Sequence, residues 1–400
     1  MKHDVAAVLV NFNSGRLCRS AVASLQAQEF TGRDGKRGSL QIIVVDNASP
    51  IDQHAELEPL KALGCTVIYH DQNAGYGAGM NLGMRFVDAE FVLIANPDIL
   101  VLDGALAALV GALREDDTLG AVGPRGYLDP DLFICLPPND LPSLALHAAE
   151  SLGRRHGYFA RTASHARSRR FRDAWLASRP RRMDMISGFA MLLRSELARR
   201  LGPFDPRFPF YFEDADLCRR VRRAGLGLAL VPAARMIHFF DQSARSVRQS
   251  VTERYHLSRA FYYRKHYGPL GSRLFRALEK YAGGGRPGSE GWRFVAIDEL
   301  GEHADVPLID VPASPSGADA EWLMEIATDP AFLFCGGHPG RGPQVVIAPR
   351  AWNALEATRW YVRVIDPRTL AIRRAVTFTK TRPATGPVSF DEFRAIGASR

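Results

Sequence analysis

The run Phe91-Val92-Leu93-Ile94-Ala95, stopped by Asn96-Pro97-Asp98, constrains the fold more than any other stretch. A short apolar run without polar alternation is a strand buried on both faces, as in a parallel sheet covered by helices. Pro97 has no N–H for the ladder, so the strand ends there. The Asp98 carboxylate is then held at the carboxyl end of a sheet, where open α/β folds bind ligands.

Similar runs come before it. Residues 5–10 lead into Asn11-Phe12-Asn13-Ser14, residues 40–45 into Asp46-Asn47-Ala48-Ser49, and residues 66–69 into a Gly-rich turn. Between them lie helical patterns: Leu17, Ala21 and Leu25 behind Ser14 as a cap, then segments near 52–63 and 78–88. This alternation predicts βαβ units with right-handed crossovers and an α/β fold with a mostly parallel, Rossmann-like sheet. Asn11, Asp46 and Asn96/Asp98 then converge on one edge. Such an edge suits a nucleotide, with Asp46 accepting from a base or ribose and Phe12 stacking; Asp46-Asn47 also suits a plain turn. In 73–83, Gly75 permits close backbone approach and the helix N-terminus favours anions. The run is no P-loop, since no Gly-Lys-Ser/Thr follows, and it does not follow the first strand as a dinucleotide fingerprint would.

Beyond a helix near 103–114, residues 125–182 read as irregular, Pro-punctuated and basic. Ten arginines lie between Arg154 and Arg182 against one acid, Asp173, in a chain of net charge +8. Such a patch suits nucleic acid, anionic lipid or a phosphorylated substrate. It has no zinc-finger or RNP signature, so no nucleic-acid partner is expected. Five scattered cysteines without a CxxC pair predict neither disulfides nor zinc. No apolar stretch approaches the roughly 20 residues of a membrane span. The first residues run straight into a strand, which leaves no room for a signal peptide and predicts a cytoplasmic chain.

Sheet character returns at 183–193, around Ser187-Gly188-Phe189. An aromatic stretch at 204–212 leads into Glu213-Asp214-Ala215-Asp216, the first turn of a helix on which Leu217, Cys218 and Val221 share a face and Gly225 caps the end. Strands near 226–231 and 234–239 carry His238. A basic amphipathic helix over 245–267 either covers a sheet or lies on anionic lipid. The Gly/Pro-rich 281–291 reads as a linker between a first domain, 1–280, and a second, 292–400. Short strands at 292–297, 332–335, 345–347, 360–365 and 375–378 predict a small mainly-β, sandwich-like second domain.

Taken in order and spacing, Val10-Asn11-Phe12-Asn13-Ser14, Val44-Val45-Asp46-Asn47-Ala48-Ser49, Asn73-Ala74-Gly75-Tyr76-Gly77, Asn81-Leu82-Gly83, Asn96-Pro97-Asp98, Ser187-Gly188-Phe189-Ala190, Phe204-Asp205 and Glu213-Asp214-Ala215-Asp216-Leu217-Cys218 resemble the family 2 glycosyltransferases of GT-A fold, especially their rhamnosyltransferase-like branch. The resemblance covers residues 5–268. It implies an inverting, metal-dependent hexosyltransferase of bacterial surface polysaccharide synthesis. The donor would be a dTDP- or UDP-sugar, with rhamnose a candidate sugar. The acceptor would be a glycan or a polyprenyl-diphosphate-linked sugar, met in peripheral contact with the inner face of the plasma membrane. The resemblance assigns donor binding to Asn11, Phe12, Asp46, Gly75, Asn81, Asn96 and Asp98, acceptor binding to Gly188 and Glu213, and the general base to Asp214. Asp98 and His238 would hold Mn2+ or Mg2+. Asn96 stands where the family has the first acid of an Asp-x-Asp motif, and is assigned to the donor only.

The chemistry fits those assignments. A hard cation takes oxygens from a carboxylate and a diphosphate, and an imidazole favours Mn2+. Asp214 would take the acceptor's proton. A helix N-terminus weakens it as a base, while neighbouring Glu213 and Asp216 push the other way. Two competing functions use the same residues: a non-catalytic sugar-nucleotide or carbohydrate-binding protein, and a nucleotidyltransferase. For the latter, Asn11–Arg16 is a poor phosphate loop.

Overall fold

The computed structural model describes residues 2–202, 204–239, 248–283, 295–313 and 321–398. The first part of the chain runs β1 (His3–Asn11), α1 (Gly15–Gln26), β2 (Leu40–Asp46), α2 (His54–Leu57), α3 (Pro59–Ala62), β3 (Thr66–Tyr69), α4 (Tyr76–Met84), β4 (Ala89–Ala95), β5 (Ile99–Val101), α5 (Ala105–Glu115) and β6 (Leu119–Tyr127). It continues through α6 (Leu144–Gly153), α7 (Gly157–Trp175), β7 (Arg181–Met183), β8 (Ala190–Arg194), α8 (Ser195–Leu201), α9 (Glu213–Arg223), β9 (Gly227–His238) and α10 (Arg248–Tyr281). The last part holds β10 (Asp298–His303), β11 (Ile309–Asp310), β12 (Glu321–Ala327), β13 (Gly336–Arg341), β14 (Gln344–Val345), α11 (Pro349–Ala354), β15 (Arg359–Ile365), β16 (Ile372–Lys380) and α12 (Phe390–Ala398).

The apolar runs form the strands expected of them. They lie parallel in the order β3-β2-β1-β4, with Asn11 opposite Asp46. Beyond β4 the nine-stranded sheet becomes mixed, continuing β8-β6-β9-β5 with β7 alongside β9. A parallel neighbour requires a crossover of a dozen or so residues. Asn96-Pro97-Asp98 has no room for one, so β5 crosses the sheet and pairs antiparallel with β9, Ile99 opposite His238. That jump sets Asp98 beside His238.

Helices cover both faces. Val5, Ala7, Leu9, Phe91 and Leu93 pack under Cys18, Leu25, Leu106 and Leu109 of α1 and α5. The alternate residues Val8, Val10, Val92 and Ile94 meet Met80, Leu197, Leu217 and Tyr262 of α4, α8, α9 and α10. α4 lies very close to the strands: a Cβ on Gly83 would stand 2.4 Å from Cγ1 of Val8. Part of the Gly-rich run therefore serves helix–sheet packing.

Several local expectations are corrected. Residues 125–182 are not irregular but hold α6 and α7. The buried face of α7 is Ala160, Ser164, Arg167, Ser168, Phe171, Ala174 and Trp175, so polar and small residues mask the apolar period. Pro59 divides the helix near 52–63 into α2 and α3. The two strands at 226–239 are one, β9, with a register irregularity between Val231 and Arg235. α10 runs on to Tyr281 through a kink at Gly268-Pro269, where Gly268 has φ 67°.

The last part builds a five-stranded sheet, β10-β16-β15-β12-β13, and a two-stranded one, β11-β14. The predicted strands 360–365 and 375–378 fall in β15 and β16; 332–335 is irregular, and 345–347 contributes only Val345 to β14. The 281–291 linker and the strand at 292–297 lie largely outside the described residues. Trp322, Met324, Val362, Val364 and Phe378 face Trp352 of α11 and the β11–β14 pair. The opposite face, with Leu323, Ala327 and Ile365, meets Phe171 and Trp175 of α7. Among the described residues, no second large sheet packs on this one; α7 of the first part covers that face. No helix among the described residues is long and apolar enough to cross a membrane.

Candidate functional site

The site is built from three strand ends and one helix start. At the first, β1 and β2 stop in register, and the Asn11 side-chain amide donates to Oδ1 of Asp46 at 2.7 Å. Ser49 holds the same carboxylate through its hydroxyl at 2.6 Å and its backbone N–H at 3.1 Å. Both Asn11 and Asp46 are buried, and Phe12 is half-buried beside them. Asn47 donates to the Asn73 side chain and to the Gly75 carbonyl, both at 3.1 Å, tying this edge to the start of α4. Gly75 has φ 92°, which favours glycine, and a Cβ there would lie 3.3 Å from the Pro209 carbonyl oxygen.

The second end is Asn96-Pro97-Asp98. Nε2 of His238 lies 3.3 Å from Oδ1 of Asp98 and 3.3 Å from Nδ2 of Asn96. Neighbouring ligands of an octahedral cation, each bound at about 2.1 Å, sit about 3 Å apart, so this spacing fits a divalent ion. The donor set, one carboxylate and one imidazole, fits it as well. Among the described residues no group of three or more His, Cys, Asp or Glu comes together to hold a metal, so the remaining ligands would be substrate oxygens and water. Phe189 stacks on the His238 ring at 4.9 Å and accepts the Asn96 backbone N–H at 2.8 Å.

The third end is the start of α9. Asp214 accepts from the Gly188 N–H at 2.9 Å and from the Ala215 N–H at 2.8 Å. A Cβ on Gly188 would stand 3.0 Å from Cβ of Asp214, so Gly188 sets the position of this acid. Burial raises the pKa of Asp214 and, aided by the Asp214 charge, that of Glu213. Oε2 of Glu213 is buried without a hydrogen-bond partner. Asp216 does not add to this charge. Burial alone would raise its pKa too, but His266, Lys265 and Arg220 hold it down to about 2.

Asn81 takes another part. Its amide donates to the Phe204 carbonyl and accepts the Phe204 N–H, each at 2.9 Å, and so pins the loop leading to α9. Tyr76, absent from the sequence-based set, has a buried hydroxyl with no hydrogen-bond partner. Burial and the charges of Glu213, Asp214 and Asp98 push its pKa well up. Its place between two glycines is the one sequence signal that marked it.

A mixed α/β sheet with these acids at its edge is the GT-A class of fold. Residues 7–200, just under half of the chain, match the profile of glycosyl transferase family 2. The chain is 31% identical over 180 residues to the N-acetylglucosaminyl-diphospho-decaprenol L-rhamnosyltransferase of Mycobacterium tuberculosis, covering 42% of this chain and 56% of that protein. It is 38% identical over 81 residues to the rhamnosyltransferase WbbL of Escherichia coli, covering 20% of this chain and 30% of that one. The chain thus spans only part of the length of these curated relatives. A mannosyltransferase from Pyrobaculum calidifontis, solved with GDP-Man and Mn2+, aligns with TM-score 0.40 and 17% identity, covering 70% of this chain and 75% of that one.

Proposed function

We propose that this chain transfers a sugar from a nucleoside diphosphate donor to an acceptor hydroxyl with inversion. One observation carries the reading: the loop Ser187-Gly188-Phe189 holds both reactive ends. Phe189 stacks on His238 and bonds Asn96, while the next residue back, Gly188, donates to Asp214.

The Asn11–Asp46 edge and Phe12 take the nucleoside. Gly75 and the start of α4 face the diphosphate, where backbone N–H groups favour anions. Asn96 adds a neutral donor contact. A divalent cation, Mn2+ or Mg2+, held by Asp98 and His238 would offset charge on the leaving diphosphate. Asp214 accepts the acceptor hydroxyl's proton as its oxygen bonds to the anomeric carbon and the sugar–diphosphate bond breaks. Burial makes Asp214 a stronger base than an exposed aspartate, against the weakening by the helix start. Glu213 and the Gly188 loop border the acceptor. Asp216 is tied to Lys265, Arg220 and the His266 imidazole and is not free to form a glycosyl-enzyme, which supports inversion.

The names of the relatives favour rhamnose as the sugar and a polyprenyl-diphosphate-linked sugar as acceptor; the donor nucleotide we propose is dTDP or UDP. Such an acceptor would bring the chain to the cytoplasmic membrane face. A thermal-shift panel of nucleotide sugars with Mn2+ identifies the donor, since a ligand bound only by the folded state raises its midpoint. With that donor, Asp214→Asn is expected to lower transfer by about 10^3-fold or more while donor binding survives. Near-normal turnover removes Asp214 as base. Donor binding by the unaltered chain without transfer to any acceptor favours a binding protein. EDTA is expected to stop turnover, and Mn2+ to restore it.

A further inference from the structure

The two most exposed large apolar side chains among the described residues, Leu270 at 76% and Tyr158 at 75%, lie on one surface that the reaction does not use. After the Gly268-Pro269 kink, α10 presents Leu270, Leu274, Ala277 and Tyr281, all exposed. Their spacing of four, three and four residues puts them on one stripe of the helix. Tyr281 links this stripe to the start of α7. Its hydroxyl lies 2.6 Å from Nε2 of His156, the Arg155 guanidinium stands 4.8 Å from its ring, and His156 meets Phe159, which meets Tyr158.

The rim is basic. Arg273, Arg276 and Lys280 are exposed along one flank of the stripe, with Arg155 and Arg161 beyond Tyr281. Acid is kept off the surface. The one carboxylate of this arm, Glu279, turns inward to His147 at 3.4 Å and Arg259 at 3.3 Å. Other arginines of the basic stretch are paired within the fold, Arg167 with Glu150, Arg170 with Asp140 and Arg182 with Asp116.

An apolar stripe ending in tyrosines and flanked by cations matches the headgroup boundary of an anionic bilayer. There the apolar groups enter the acyl edge and the basic stems extend to phosphate. A nucleic-acid site would put stacking rings inside a basic groove; here the outermost groups are leucines. We infer that the face formed by residues 269–281 and 155–161 docks on an anionic membrane surface. The face belongs to the same helix that braces the base: upstream in α10, Tyr255 touches Tyr211 and Phe212. Docking would therefore fix the acceptor side of the site relative to the bilayer.

Vesicle flotation of the full chain, without any substrate, tests this separately from the chemistry. Binding is expected to vesicles with about 30% phosphatidylglycerol and not to phosphatidylcholine alone, and to fall between about 0.1 and 0.5 M salt. The exposed pair Leu270→Ser/Leu274→Ser is expected to weaken binding about tenfold or more. Arg273→Glu/Lys280→Glu should do the same with unchanged melting, and Leu308→Ser, exposed elsewhere, should change nothing. Absence of vesicle binding overturns the inference, as does wild-type binding by both double variants. Binding to duplex DNA but not to vesicles overturns it in favour of nucleic acid.

Discussion

Asp214 and Asp216 stand in one turn of α9 and are driven apart by their surroundings. Asp214 sees burial and two N–H donors; Asp216 sees burial, two cations, Lys265 and Arg220, and the His266 imidazole. Environments that separate two acids in this way suit them to different tasks; in the proposed reaction these are proton transfer for Asp214 and bracing for Asp216. The residues just before them are strained: Tyr211 and Phe212 have φ 65° and 69°. Side chains of this size rarely adopt such values, and each costs about 1–3 kcal/mol. Glu213 should report on the site directly. Its folded-state pKa is raised above the ordinary value of 4.5 by burial and by Asp214, so the folded state holds the proton longer than the unfolded chain. Its contribution is fully present below about 4.5 and declines as pH rises toward the folded-state value. Glu213→Gln is therefore expected to be more stable than the native chain by about 1–2 kcal/mol at alkaline pH, with the difference vanishing near pH 4. Urea midpoints over that range check it, and a constant difference would place Glu213 in water. The strand ends at Asp46 and Asp98 were legible because each closes an apolar run, and the helix start at Asp214 because apolar residues of helical spacing follow it. Tyr76 carried only the weak mark of its two flanking glycines; its buried hydroxyl without a hydrogen-bond partner is visible in the fold alone.

At the scale of elements, α10 braces the start of α9. Asp216 bonds Nε2 of His266 at 2.9 Å and Lys265 at 2.5 Å, and Lys265 also reaches Asp205 at 2.9 Å. Arg219 of α9 bonds the hydroxyls of Tyr262 at 2.8 Å and Tyr267 at 2.7 Å. Removing one partner from a buried cluster leaves the others unpaired, so Asp216→Asn is expected to destabilise the fold by about 3 kcal/mol. The native stabilisation is present above about pH 3.8, the unfolded value, and is lost as pH falls toward the folded value of about 2. The difference between native and variant melting should accordingly close in acid; a gap that persists at pH 2 would mean packing, not charge, is at work. The sequence showed a basic helix here but not its partner, because Asp216 and Lys265 are far apart in the chain. It missed α7 for a related reason: that helix buries Ser164, Arg167 and Ser168, which meet their partners only in the assembled fold.

Across the whole molecule, the C-terminal sheet domain packs closely on the first part of the chain. Arg363 of β15 is buried, pairs with Glu325 and donates to the hydroxyls of Ser164 and Ser168 on α7 at 2.8 and 2.9 Å. Cys135 exchanges backbone hydrogen bonds with Gly337 at 2.8 and 2.9 Å, and the Trp175 ring fills the space over Gly337, where a Cβ would lie 2.2 Å from it. Phe390 of α12 packs with Leu100, Leu102 and Ile237 beneath β5 and β9, the strands that carry Asp98 and His238. The second sheet is thus the outer wall of α7 and of the metal-side strands. A chain ending at residue 283 would expose Phe171, Trp175, Leu100 and Ile237 together, an apolar patch that favours aggregation. It is expected to be insoluble or to bind ANS, and to show weak donor binding. In the full chain, Glu325→Gln leaves Arg363 buried without its carboxylate and should lower the stability by about 3–5 kcal/mol. Because the core is shared, calorimetry should record one transition that shifts as a whole. Two transitions, with only one moved by Glu325→Gln, would show that the sheets fold independently and that α7 serves the second only as a contact.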